Sequence, residues 1–178
     1  MSYMLELPFG RGRALWNRGG VLNAILGGWQ MTGIVSAQTG QYYDVTLANA
    51  ASQFGTNAAG VWRPDVVGDH RMPNPSPDGW FNPAAFAMPI DAAGNFTYGN
   101  LGRNALQEPG LFNVDLGLTK NFLVSERFRL QFRWEVFNLT NHPSYGTPET
   151  DISDPDAGII RSTLGLPRQM QFGLRLSW

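Results

Sequence analysis

Residues 168–178 read RQMQFGLRLSW, and the alternation in this stretch decides the fold. Met170, Phe172, Leu174, Leu176 and Trp178 take turns with Gln169, Gln171, Gly173, Arg175 and Ser177. Successive side chains of a β-strand point to opposite faces, so the segment has one apolar and one polar face. The apolar row ends on an aromatic that is also the last residue of the sequence.

Working outward, the same period of two recurs. It is strongest over 126–138, where Phe128, Leu130, Phe132, Trp134 and Val136 oppose Arg127, Arg129, Gln131, Arg133 and Glu135. Residues 112–120 set Phe112, Val114, Leu116 and Leu118 against Asn113, Asp115, Gly117 and Thr119, with a tight link to the next strand at 121–125. Residues 29–39 place Trp29, Met31, Val35 and Ala37 on one face, with Ile34 out of phase. Residues 2–9 place Tyr3, Leu5, Leu7 and Phe9 together, with Pro8 near the strand end. The connection 10–28 contains a basic turn, Gly10–Arg13, and a short helical piece over Val21–Leu26. Its GRGR lacks the Lys-Ser/Thr and the spacing of a phosphate loop. Two long loops remain, 40–110 and 139–167, both interrupted by prolines; the first has room for a short strand near Tyr43–Leu47.

The composition narrows the classes. The 178 residues suit one domain, 1–178, and a net charge of −1 gives no reason to expect nucleic acid. Cysteine is absent, which removes disulfides, thiol catalysis and thiolate metal sites. Hydrophobic residues make up 43 %, yet no apolar run approaches the ~18 residues of a spanning helix. A transmembrane barrel strand needs only about ten alternating residues. The opening MSYMLELPFG lacks the basic and apolar regions of a secretory signal, so residue 1 is expected not to be the native start.

Charge placement separates a barrel from a soluble sheet. Lys120, Glu126 and Arg168 are the only charges in phase with the apolar rows, and each is expected at a strand end. Loop lengths agree: with Trp178 periplasmic, both long loops fall on the outside and the shorter links inside, as outer-membrane barrels require. The expected fold is therefore all-β, an antiparallel transmembrane β-barrel segment of about five carboxyl-terminal strands. Five strands do not close a barrel, so the chain is expected to be incomplete on its own. A soluble or cell-surface β-sandwich that binds carbohydrate through its long loops is the alternative.

No catalytic constellation is visible, so no enzyme, cofactor or metal is expected. His70 and His142 lack HExxH spacing, and Asp151, Asp154 and Asp156 lack the ligand pattern of a calcium loop. Ligand-contact candidates are Trp62, Arg63, Trp80 and Phe81 in the long loop, which either stack on a sugar or peptide or pack locally. Arg129, Arg133 and Glu135 either line a substrate path or pair with neighbouring charges.

The stretches YMLELPFGRGR (3–13), LGGWQMTGIVSAQTGQYYDV (26–45), RPDVVGD (63–69), WFNPAAFAMP (80–89), YGNLGRNALQEPGLFNVDLGLTKNF (98–122) and FRLQFRWEVFNLTNHPSYG (128–146) resemble the carboxyl end of TonB-dependent receptors. The similarity is to the Oar-like group with a carboxypeptidase-regulatory-like domain. It implies a barrel of twenty-two strands, a plug, and energy supplied by TonB through amino-terminal parts. It also implies a bacterial outer-membrane location, contact with outer-membrane lipid, and uptake of an unidentified small ligand, such as carbohydrate or peptide fragments. In outer-membrane barrels the closing strand is read by the barrel-assembly machinery, which assigns that role to Phe172, Leu174, Leu176 and Trp178.

Overall fold

The computed structural model describes residues 1–9, 14, 20–47, 62–123, 125 and 127–178, with the side chains of 21, 22 and 24 outside that description. The expected turn at 10–13 and the in-phase Glu126 lie outside the described residues. The chain divides into two compact units. Unit 1 comprises Met1–Ala37, Phe112–Pro143 and Leu166–Trp178, and unit 2 comprises Gln38–Leu111 and Ser144–Gly165.

Unit 1 is built on strands β1 (Ser2–Glu6), β2 (Trp29–Gln38), β9 (Leu111–Leu123), β10 (Arg129–Phe137) and β11 (Gln169–Ser177), plus one short helix, α1 (Val21–Leu26). The five strands form one sheet in the order β1-β2-β9-β10-β11. β1 runs antiparallel to β2, and β10 runs antiparallel to both β9 and β11. The sheet is open: β1 and β11 are its edges among the described residues.

The register places the apolar rows side by side. Trp134 stands between Leu118 and Phe172, Val136 between Leu116 and Met170, and Leu130 between Phe122 and Leu176. On this face Trp134 stacks on Phe172 at 6.2 Å and 8°, and Phe132 meets Trp29 edge-on at 6.0 Å. Each such pair contributes about 0.5–1.5 kcal/mol beyond its buried area. Tyr3 pairs with Gly33, and its ring lies where a Gly33 side chain would be; a Cβ there would sit 2.3 Å from the ring. Among the described residues nothing covers the row on β11: Phe172 is 71 % and Leu174 72 % exposed.

Several expectations need correction. β9 continues to Leu123, so 121–123 are strand and the link to β10 begins after them. Lys120 is consequently not at a strand end. It sits inside β9 opposite Phe132, in the apolar row, and is 2 % exposed. β1 stops at Glu6, short of Phe9, although Leu7 N still donates to Trp29 O at 2.9 Å.

Unit 2 contains the short strands β3 (Tyr42–Tyr43), β4 (Asp65–Val66), β5 (Arg71–Ser76), β6 (Gly79–Phe81), β7 (Phe86–Ala87) and β8 (Leu106–Gln107). They form three two-stranded pairings, β3 with β8, β4 with β7 and β5 with β6. Tyr43, Val45, Phe81, Ala85, Phe86, Leu101 and Leu106 make a buried core. Side-chain oxygens serve the backbone where ladders are short. Asp65 accepts from Asn100 N at 2.9 Å while Asn100 accepts from Val66 N at 2.8 Å, and Asp44 accepts from Asn104 N at 2.5 Å. Such Asx contacts replace ladder bonds in proline-rich chain.

Candidate functional site

Two surfaces carry polar chemistry, one in each unit. In unit 1 the polar rows of the sheet bring Arg133, Glu135 and Gln171 together. Arg133 donates to Glu135 two residues along the same strand, and Gln171 Nε2 on β11 donates to the other carboxylate oxygen at 2.5 Å. The pairing thus runs along β10 and is closed by an amide across the strands, rather than by opposite charges on neighbouring strands. Gln131 Nε2 donates to Asn121 Oδ1 at 3.0 Å in the next position. Arg129 is exposed at the start of β10.

In unit 2 a groove of about 420 Å³ opens between β3, β5, β6 and β8, lined among others by Tyr42, Tyr43, His70, Arg71, Trp80 and Gln107. The strands fix its rings. Tyr42 pairs with Gln107 and is 63 % exposed, while the Tyr43 ring enters the core beneath. Trp80 Nε1 donates to Gln107 O at 2.7 Å, and Gln107 Nε2 donates to Gly40 O at 2.9 Å. The indole N–H is therefore used within the wall, and what Trp80 offers the groove is its ring. His70 packs on Phe86 at 5.8 Å. The Tyr43 hydroxyl is buried without a hydrogen-bond partner among the described residues. Burial first, and the charge of Glu108 second, push its pKa up from the usual tyrosine value, so it stays a neutral donor at ordinary pH.

The other expected contact residues are scattered. Phe81 is not available for stacking: it is 2 % exposed, locked between Tyr43 and Phe86 in the core. Trp62 stacks on the exposed ring of Tyr98 at 6.2 Å and 18°, with Arg63 next to it in sequence. His142 packs edge-on against Phe112 in unit 1. Asp151 and Asp154 accept from Ser153 N and Asp156 N, and Asp156 pairs with Arg161, so the DISDPDAG segment is a self-bonded turn. Sequence reading missed Tyr42, Tyr43, Arg71 and Gln107. The adjacent pair Tyr42-Tyr43 was the available signal, because a strand puts one ring in the core and leaves the other exposed.

Phe172, Leu174 and Leu176 project from the edge strand β11, and Trp178, just past its end, is 88 % exposed. Bare aromatic rows on a sheet are stable where lipid, not water, meets them.

A family model described as an outer membrane beta barrel domain matches residues 1–171. The chain belongs to that family. Neither a curated protein nor a solved structure matches it. The protein resides in the bacterial outer membrane, and its open antiparallel sheet is barrel wall. Barrels of this class carry an apolar band outward and polar residues inward; in this sheet Leu118, Trp134 and Phe172 form the apolar row and Arg133, Glu135 and Gln171 lie on the polar one.

Proposed function

We propose that this chain is the carboxyl-terminal wall of a TonB-dependent outer-membrane transporter of the Oar-like group, and that it captures ligand without transforming it. The groove of unit 2 carries the reading. An exposed ring (Tyr42), a half-buried one (Trp80) and one cation (Arg71) line a space of about 420 Å³. Rings stack on the apolar faces of sugars or on peptide side chains, while the polar groups orient hydroxyls or carbonyls. The substrate class is accordingly a carbohydrate or peptide fragment.

Both long excursions that build unit 2 leave from one end of the sheet, between β2 and β9 and between β10 and β11. By the loop-length rule that end is extracellular. Captured ligand would then pass along the polar rows as a plug moves under TonB, with the plug, the TonB-contacting segment and the other strands supplied outside these residues. The barrel-assembly machinery would recognise β11 and Trp178.

The test uses outer-membrane vesicles containing the native protein and panels of short oligosaccharides and short peptides. Binding to one panel is expected, weakened at least tenfold by Trp80→Ala and by Arg71→Ala, a change of about 1.4 kcal/mol. Uptake in cells should stop when the inner-membrane proton gradient is collapsed. Binding that is indifferent to both substitutions, or uptake that survives uncoupling, would overturn the reading.

A further inference from the structure

Among the described strand residues a charge interrupts the apolar row at Lys120. A cation there belongs in neither lipid nor an apolar core, and the structure shows what it does. Its Nζ donates to Ile25 O at 2.7 Å and to Gly27 O at 2.6 Å, the carbonyls that end α1. It also lies 5.3 Å from the centroid of the Trp29 ring and 4.9 Å from that of Phe122. Trp29 Nε1 donates to the same Ile25 O at 2.9 Å. The last turn of a helix presents carbonyls without helical partners and the negative end of its dipole, and an ammonium satisfies both. Lys120 therefore fastens the end of α1 against the apolar face of the sheet.

The fastened helix is oddly greasy. VLNAIL carries no acidic residue in its first turn and no basic one in its last, and Ile25 and Leu26 are 57 % and 46 % exposed. Between it and the sheet runs a groove of about 450 Å³ lined by Leu7, Phe9, Leu26, Trp29 and Leu118. Leu118 is the β9 partner of Trp134, so the groove continues the lipid-facing row. It lies toward the end of the sheet where β9 finishes and β2 begins.

We propose that α1 is an interfacial anchor in the periplasmic leaflet, and that its groove holds an acyl chain of a glycerophospholipid. The occupant follows from continuity: the groove opens into a surface that already meets lipid. Lys120 is the positioning residue. It supplies the donors that the α1 carbonyls need where water is scarce, since an unpaired backbone carbonyl is costly in hydrocarbon. The inference rests on the outward assignment of the apolar rows and is independent of any transport activity.

The sequence holds no cysteine, so a nitroxide on Ile25→Cys reports alone within these residues. In native outer-membrane vesicles that label is expected to collide with oxygen in preference to a water-soluble nickel complex. A label on Ala92→Cys, on an exposed turn of unit 2, should show the reverse. Lys120→Met should shift the Ile25 label toward the aqueous pattern while the barrel still assembles, and Lys120→Arg should restore the lipid pattern. An aqueous Ile25 label in the parent protein, or one shielded from both reagents by a protein partner, overturns the anchor. An unchanged label in assembled Lys120→Met overturns the pin. If Lys120→Met does not assemble, the parent label still decides for or against lipid, and a Lys120→Arg label that loses the lipid pattern counts against the pin.

Discussion

The sheet of unit 1 and the loop body of unit 2 are two answers to the same shortage of covering material. The sheet leaves its apolar rows bare, with Phe172 and Leu174 more than 70 % exposed, and relies on lipid to cover them. Unit 2 turns inward and buries Val45 at 0 % and Phe81 at 2 % exposure under short strands. Regular backbone pairing frees the sheet from needing a core of its own. Unit 2, broken by prolines, needs both a core and side-chain caps. The contrast predicts that a charge harms the first region where lipid lies and that a cavity harms the second where packing lies.

The largest effect on outer-membrane level is expected in the sheet. Trp134→Arg places a cation in the lipid-facing row beside Phe172, at a cost of roughly 2–4 kcal/mol. Heat-modifiable protein in the outer membrane should fall steeply, whereas Gln131→Arg, on the polar row of the same strand, should assemble normally. Trp178→Ala should lower the level by a smaller amount, because the edge strand keeps its register with β10. Equal levels for Trp134→Arg and Gln131→Arg would make the two faces equivalent and remove the distinction between the regions.

Phe81→Ala comes next in its effect on outer-membrane level, because its cost falls on unit 2. Emptying a core site of this kind costs about 3–5 kcal/mol. Limited proteolysis should then cut unit 2 while the strands of unit 1 stay protected and heat-modifiable. Loss of both together would mean that the two units share one cooperative transition.

The regions also differ in how readily they are read from sequence. Alternation with period two names the face of every residue in β10 and β11, and the register then sets those rows side by side. The strand limits moved by a few residues because pairing, not side-chain pattern, ends a strand: β9 runs on to Leu123 because Arg129 has a partner there. Unit 2 has no period to read. Its strands are as short as two residues, and its bonds join positions far apart, such as Asp44 to Asn104. Phe81 looked like a loop aromatic because nothing nearby in sequence announces that Tyr43 and Phe86 enclose it. Lys120 was misread for the same reason: its partners are backbone carbonyls more than ninety residues earlier, which no side-chain pattern records.

The smallest effect tests the capping half of the contrast. Asp91 Oδ1 accepts from Asn95 N at 2.8 Å and Ala93 N at 2.9 Å, and Asn95 Nδ2 donates to Oδ2 at 3.2 Å. These bonds, the Asn95 backbone bond foremost, hold the Asp91 carboxyl below the ordinary carboxylate range. Hydrogen bonds to the ionised form favour it, so the folded turn binds its proton less readily than the unfolded chain does. The stabilisation is therefore complete above the ordinary carboxylate pKa and disappears as pH falls through the depressed one. Hydrogen exchange corrected for intrinsic rates should show the Ala93 and Asn95 amides protected at neutral pH and released in acid. Asp91→Asn keeps an accepting oxygen but cannot titrate, so its protection should not change with pH. The sheet amides of β10, bonded to neighbouring strands and not to carboxylates, should ignore the same titration. Matching acid profiles for Asp91→Asn and the parent would show that some other group governs the turn, and the argument that unit 2 is held by its acidic caps would fail at its most accessible point.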